Sequence, residues 1–301
     1  MIMKTADVQV IGKTGADGFT LVELVVVIAT VAVLAALLLP ALAGTRPNTR
    51  AFQCLGNQRQ LILAWQMYTQ DNGEILPPND YPFTTAVARD GTVMNWAFGS
   101  MAVNIDSIDA SVLVNQKLSS LALYNTNSAV YRCPADTSLS QGHPRVRSVS
   151  MNGAVGTRWY SAGVGTGTSS PPPGVKPGDA VGGGWLTRIY QDPNPVYRTF
   201  GKTSSLTIPG PSMTWVIMDE NPLTINDACL TICMQPYLVD YPANYHNGAA
   251  GISFADGHAE MHKWVDVFTG VPSGGGAVPQ VSSDSQSQDL AWIQPRTSAL
   301  K

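Results

Sequence analysis

Residues 16–42, ADGFTLVELVVVIATVAVLAALLLPAL, govern how the rest of this chain is read. From Phe19 to Ala43 the only polar side chains are Thr20, Glu23 and Thr30. A membrane-spanning helix needs about 20 predominantly apolar residues, so the run predicts a spanning segment. Glu23 lies inside it, where a carboxylate costs about 2.5–3.5 kcal/mol on insertion scales. No Lys, Arg or His falls between Thr14 and Gly44, so a charge partner for Glu23 must come from elsewhere.

The ordering of the N-terminal region is as informative as its composition. A secretory signal places its small-residue cleavage site after the apolar core. Here the small residue, Gly18, precedes it, and a cut there would remove a polar leader and keep the helix. The 301-residue chain carries a net charge of -3 and has 13% charged residues, with 28 glycines and 21 prolines. No long basic patch points to nucleic acid, and the balance suits a loop-rich domain outside the cytoplasm. Cys54, Cys133, Cys229 and Cys233 form no CxxC pair. An even count is compatible with disulfides in an oxidising compartment.

The segment GFTLVE followed by an apolar helix resembles the cleavage and methylation signal of type IV pilins and type II secretion pseudopilins. The resemblance implies a peptidase cut after Gly18, with Phe19 as the methylated first mature residue. Glu23 becomes the fifth mature residue and Pro40 the twenty-second, a position where many type IV pilins carry proline. Asp17, an acid beside the scissile bond, departs from the pattern. In an assembled filament the Phe19 amine of one subunit meets Glu23 of a neighbour. Opposite charges about 4 Å apart attract by roughly 4 kcal/mol at an effective dielectric of 20. Glu23 is then an assembly determinant rather than a catalytic group.

After Pro40, Cys54, Leu61, Trp65 and Tyr68 recur at helical spacing. They predict an amphipathic continuation that packs on a globular domain and stops near Gly73, ahead of Pro77 and Pro78. Pro40, Gly44 and Pro47 predict a bend or unwound turn. SVLVNQKLSSLALYN (111–125) suggests a short helix, while AVYRCPAD, RVRSVSMNGAV and MTWVIMDE suggest extended segments. Ile252 and Phe254 alternate before Asp256-Gly257, a hairpin signal. YHNGAAGISFADGH, with His246 nine residues ahead of Asp256-Gly257, resembles the H-x9-DG domain of prepilin-like proteins. CLGNQRQLILAWQMYTQDNG, YRCPAD and TWVIMDENPLTINDA also resemble that family.

These readings imply an α+β, pilin-like fold. Its long N-terminal helix, membrane-spanning in its first half, packs on a small antiparallel β-sheet domain with long loops. The expected divisions are a leader at 1–18, the helix at 19–72 with 19–43 as membrane span and filament core, a globular domain at 73–269, and a loop and tail at 270–301. Within the domain, the Gly/Pro/Ser-rich stretch 161–184 predicts an exposed insertion. The implied function is a non-enzymatic filament subunit of a type IV pilus-like or type II secretion pseudopilus. Its partners are other copies of itself or of related subunits, the prepilin peptidase, the inner-membrane assembly machinery and, before assembly, the membrane. Localisation runs from the bacterial inner membrane to a periplasmic or extracellular filament. Pilus or pseudopilus, and shaft or tip, are equally compatible with the sequence.

Four further readings concern particular residues. His258, Glu260 and His262 share one strand face, as a metal site requires, but a hairpin there breaks the helical HExxH geometry. Trp96, Trp159, Tyr160, Trp185 and Tyr190 could form an aromatic platform for a polysaccharide, the alternative being a surface binding module. Asp219, Glu220, Asn226, Asp227 and Asp256 offer oxygen donors for calcium, which accepts irregular loops, and calcium in pseudopilin C-terminal loops favours the site. Cys54, on the buried helix face, could bridge Cys133. Closing a loop of about 80 residues is worth roughly 4–5 kcal/mol in the chain-entropy model, and two buried free thiols are the alternative.

Overall fold

The computed structural model of the protein describes residues 19–79, 89, 91, 93–102, 105–159, 176, 178–272 and 287–301, and side chains within these except at 35 and 37–48. The chain divides into two compact units, Met1–Arg46 and Pro47–Lys301. The first contributes the start of helix α1 (Leu21–Asp71). Thr20 opens the helix reciprocally with Glu23: its N–H and Oγ1 donate to the carboxylate while Glu23 N–H donates back to Oγ1. The described apolar side chains from Phe19 to Leu34 are all exposed.

In the second unit α1 behaves as its periodicity predicts. Cys54, Leu61, Ile62 and Trp65 are buried, Tyr68 packs against the same cluster, and Arg50, Gln53 and Gln60 face water. Burying a side chain such as Leu61 or Ile62 is worth about 1.5–3 kcal/mol, so this face, not helix propensity, fixes the segment. Gly73, at φ 61°, takes the left-handed conformation that ends the helix. Helix α1 continues through Pro40, Gly44 and Pro47, without the unwound turn those residues predict.

A short ribbon pairs β1 (Leu139–Ser140) with β2 (His143–Pro144). The main sheet contains β3 (Val149–Asn152), β4 (Trp215–Asp219), β5 (Cys229–Leu230), β6 (Ala249–Phe254) and β7 (Ala259–Lys263), in the order β5-β3-β4-β6-β7. Neighbours are antiparallel except β5, which runs parallel to β3. The hairpin β6–β7 turns at Asp256-Gly257, with Gly257 at φ 98°.

The sheet is covered on both faces. Val149, Met151, Val216 and Ile217 share a cluster with Leu61, Ile62 and Trp65 of α1. Trp215, Met218, Ala250, Ile252 and Phe254 share another with Trp264, Phe268 and helix α2 (Gln288–Thr297) through Leu290 and Ile293. Strict alternation cannot send the adjacent Val216 and Ile217 to one cluster. A register shift between Trp215 and Ile217 does so, the usual effect of a bulge. Beyond it Met218 faces α2 and Asp219 returns to the α1 side.

The pilin-like fold predicted from the sequence is therefore corrected. No helix among the described residues is long and apolar enough to cross a membrane. The sheet is mixed rather than antiparallel, because the chain leaves β4, turns through Asn221–Asp227 and returns alongside β3. The part of the helix that packs on it is confined to the stretch from Cys54 onward, within a unit dominated by sheet, 3-10 turns and loops. Two segments also differ locally. SVLVNQKLSSLALYN forms two 3-10 turns (Ala110–Val114 and Ser120–Leu123), because Ser119 between them is extended and its backbone pairs with Asn95. Of the expected insertion 161–184, residues 161–175 and 177 lie outside the described residues, while Val181–Gly184 are buried and Ala180 bridges Thr157.

Candidate functional site

Four potential ligand side chains from four separate segments meet on the α1 side of the sheet. Cys54 comes from α1. Cys133 follows the 3-10 turn Ser128–Tyr131, Asp219 ends β4, and His246 sits in the turn leading to β6. Their Sγ, Sγ, carboxylate and imidazole atoms all lie within 4.8 Å of one another. The first three residues are buried and His246 is half-buried. Cys54 Sγ donates to Asp219 Oδ2 at 3.1 Å, and Cys133 Sγ lies 3.1 Å from His246 Nε2.

The surroundings orient this group. Gly251 N–H donates to Asp219 Oδ2 at 2.9 Å. Gln58, one helical turn after Cys54, donates to Asp219 Oδ1 at 3.5 Å and to the Gly251 carbonyl at 3.2 Å. A Cβ at Gly251 would stand 2.8 Å from Cys54 Sγ and 3.1 Å from Asp219 Oδ2. A glycine inside a strand often marks such a close approach. On its other side Cys133 lines an open cleft of about 540 Å³, with Gln53, Asn57, Arg132 and Asp136 also on its walls.

In the unliganded cluster the two thiols hold their protons. The hydrogen bond with Cys133, then burial and the Asp219 charge, push the Cys54 thiol far up. For Cys133 the hydrogen bond from Cys54 pulls down, but burial and Asp219 leave the thiol raised. Burial raises Asp219 to about 6 against the hydrogen bonds it accepts, and burial lowers His246. Two neutral thiols, a carboxylate and a neutral imidazole constitute a ligand set for a borderline-soft metal, or a dithiol within reach of oxidation.

The structure distributes the other sequence-predicted residues as follows. Cys54 and Cys133 are neighbours not joined in a disulfide, and Cys229 and Cys233 are buried elsewhere, also outside any disulfide. Among the described residues, the four-residue cluster is the one grouping of three or more such donors close enough to hold an ion. Of the calcium candidates, Asp219 belongs to it and Glu220, Asn226, Asp227 and Asp256 do not. Glu220 is fully buried near Arg147, and desolvation holds its carboxyl well above the usual range. Asp227 accepts from Cys229 N–H, and the amide oxygen of Asn226 accepts from Asp227 N–H.

His246 stands before β6, whereas Asp256 and Gly257 form the turn after it, so the three residues of the hairpin motif do not share a site. Asp256 instead contacts His258 Nδ1 at 2.6 Å. His258 stacks on Phe254 and His262 on Trp292, on opposite ends of the hairpin. Of the aromatic platform, Trp96 is buried, Tyr160 lies outside the described residues, and Trp185 and Tyr190 pack together at 5.0 Å. Gly18 lies outside the described residues. Phe19 is exposed, Glu23 bonds Thr20, and Pro40 is within α1.

The sequence offers Cys54 and Cys133 as a candidate bridge or two buried thiols, Asp219 as a calcium donor and His246 as the first residue of the H-x9-DG pattern. Their convergence depends on strand order, which no local pattern records. A signal was nonetheless present: each of the four stands in one of the segments that carry the prepilin-like resemblance. No curated protein matches the chain and no solved structure does. One family model, described as a protein of unknown function (DUF1559), matches residues 44–198, just over half of the chain and inclusive of Cys54 and Cys133.

Proposed function

The chain belongs to the DUF1559 family of proteins of unknown function, and on that premise we propose that it is a structural, non-enzymatic subunit of a type IV pilus-like or type II secretion pseudopilus filament. It polymerises through its N-terminal helix after a cut between Gly18 and Phe19. The family's association with pilin-like surface proteins supports this reading. The observation that carries it is the exposed apolar helix. From Leu21 to Leu34 the large apolar side chains retain 48–78% of their accessible surface. Soluble proteins rarely leave a contiguous apolar surface of that extent uncovered. Helices of neighbouring subunits are the cover this reading assigns, and Glu23, whose carboxylate bonds only its own Thr20 among the described residues, is the group that sets their register.

Mass analysis of the native N-terminus, together with electron microscopy of cells carrying Glu23→Ala, tests the proposal. The expected result is a methylated Phe19 terminus and loss of filaments, with the melting of the second unit unchanged. Native protein that retains Met1, or filaments at wild-type number in the variant, would refute it.

A further inference from the structure

We propose that Cys54, Cys133, Asp219 and His246 form a structural site for one four-coordinate divalent transition metal, with zinc as the best-fitting ion. The donor types select the class. Two sulfurs and an imidazole suit zinc and disfavour calcium or magnesium, which take oxygen ligands in larger number. The donor count selects the role. Four protein ligands close a tetrahedral shell, whereas a catalytic zinc keeps a position for water or substrate.

Geometry agrees with that shell. Zinc bonds of about 2.0–2.3 Å place tetrahedral ligand atoms roughly 3.3–3.8 Å apart. The four donors here lie 3.1 Å apart in two of their pairs and within 4.8 Å in all. Opening the two short pairs slightly and closing any wider one by at most about 1 Å would centre an ion. Binding replaces the two thiol protons, which pass to solvent, and leaves Cys54 and Cys133 as thiolates.

Three features prepare the site. Gly251 leaves room for Sγ and Oδ2 where any side chain would intrude. The Gly251 N–H and Gln58 amide hold Asp219, the outer-shell support that ligating carboxylates ordinarily have. The open cleft beside Cys133 supplies an entry path. The ligands are distant in sequence, so the ion would join α1 to β4, to the segment after Ser128–Tyr131 and to the approach to β6.

The test uses the full-length chain purified in detergent with reductant and without chelator. After addition of zinc chloride and desalting, elemental analysis should find one zinc per chain. Cobalt(II) in its place should give the visible bands of a tetrahedral site and near-ultraviolet thiolate charge transfer. Cys54→Ser, Cys133→Ser, Asp219→Asn and His246→Gln should each weaken zinc binding by about 100-fold or more, while Cys233→Ser should retain it. His246→Cys, which preserves a ligand, should bind cobalt with added thiolate intensity and covers the case in which His246→Gln fails to fold. Absence of stoichiometric metal in the reduced protein would overturn the proposal. So would metal that survives all four substitutions, or a folded His246→Cys protein that takes no cobalt. A Cys54–Cys133 disulfide in the native protein, with no zinc uptake after its reduction, would overturn it in favour of a redox bridge.

Discussion

Replacing Gly251 by alanine isolates how tightly α1 is pressed onto the sheet at the four-residue cluster. Gly251 lies in β6 opposite Met261 with ordinary strand geometry, so the substitution introduces no backbone strain and its effect is steric. The new Cβ would be 2.8 Å from Cys54 Sγ, about 0.6 Å inside the 3.4 Å at which ordinary contact begins, and 3.1 Å from Asp219 Oδ2. Neither neighbour yields freely, because Cys54 is fixed in α1 and Asp219 is held by the Gly251 N–H and Gln58. Overpacking of this kind costs typically about 1–3 kcal/mol. Displacing the Cys54–Asp219 hydrogen bond adds about 1 kcal/mol. Against this stands about 0.4–1 kcal/mol from the reduced freedom of the unfolded chain. The expected net loss is about 1–3 kcal/mol, a midpoint lower by roughly 2–12 °C for a unit of this size. Near-ultraviolet circular dichroism of the reduced, chelated full-length chain in detergent measures it without any contribution from metal. Gly56→Ala is the control: it lies on the same helix with nothing within 4 Å of its added Cβ, and should stabilise by about 0.5–1 kcal/mol. A Gly251→Ala protein that melts at or above the wild-type midpoint would refute the close-approach argument.

Other parts of the second unit make separate predictions. Ile293→Ala, in the fully buried contact of α2 with the sheet, should destabilise by about 2–5 kcal/mol in denaturant titration; a loss below 1 kcal/mol would mean α2 is not part of the core. His262, stacked on Trp292 at 3.5 Å, is lowered to about 4 by burial and then by Arg296. Its neutral form therefore favours the folded state: the contribution is complete above pH 6.5 and is lost as pH falls toward 4. After discounting for the ring's partial exposure it amounts to about 1–2 kcal/mol, and His262→Phe should flatten that stretch of the stability–pH curve. Asp266 accepts from Ser287 Oγ and Gln288 N–H at the start of α2, and those hydrogen bonds outweigh the burial that opposes them, leaving its carboxyl near 2. Its contribution is present above pH 3.8 and fades as pH falls to about 2, so Asp266→Asn should cost about 1 kcal/mol at neutral pH and nothing measurable at pH 2.

The elements that could be read from the sequence are those whose cause is local. The α1 face follows from Cys54, Leu61, Trp65 and Tyr68 repeating with the helical period, and the β6–β7 hairpin from alternation interrupted by Asp256-Gly257. Helix α2 carries no local signal, since QDLAWIQPRT is short and contains Pro295. It forms because Ser287 caps it through Leu290 N–H and because Leu290 and Ile293 have a sheet to cover. The parallel placement of β5 and the bulge in β4 depend on which strands become neighbours. So does the meeting of Cys54, Cys133, Asp219 and His246. Asp219 illustrates the difficulty: in MTWVIMDE it reads as an acid at a strand end, yet the register shift after Trp215 turns it inward beneath α1.

The position of that cluster along α1 gives it a mechanical meaning within the proposed filament. Cys54 is the first buried residue among the described side chains of the helix. Tension applied from the N-terminal side would strip contacts in sequence order, so the cluster bears load before Leu61, Ile62 or Trp65 does. Peripheral contacts open locally at free energies far below that of global unfolding, and the edge of the docked stretch, held at Cys54 by thiol hydrogen bonds, is such a contact. An ion shared with Cys133, Asp219 and His246 changes the cost of the first step, because Cys54 cannot leave without breaking a metal–thiolate bond anchored in three other segments. A disulfide to Cys133 alone would tie the helix to one loop and leave Asp219 buried beneath it. The metal engages the central strand as well, and thus distributes the load into the sheet.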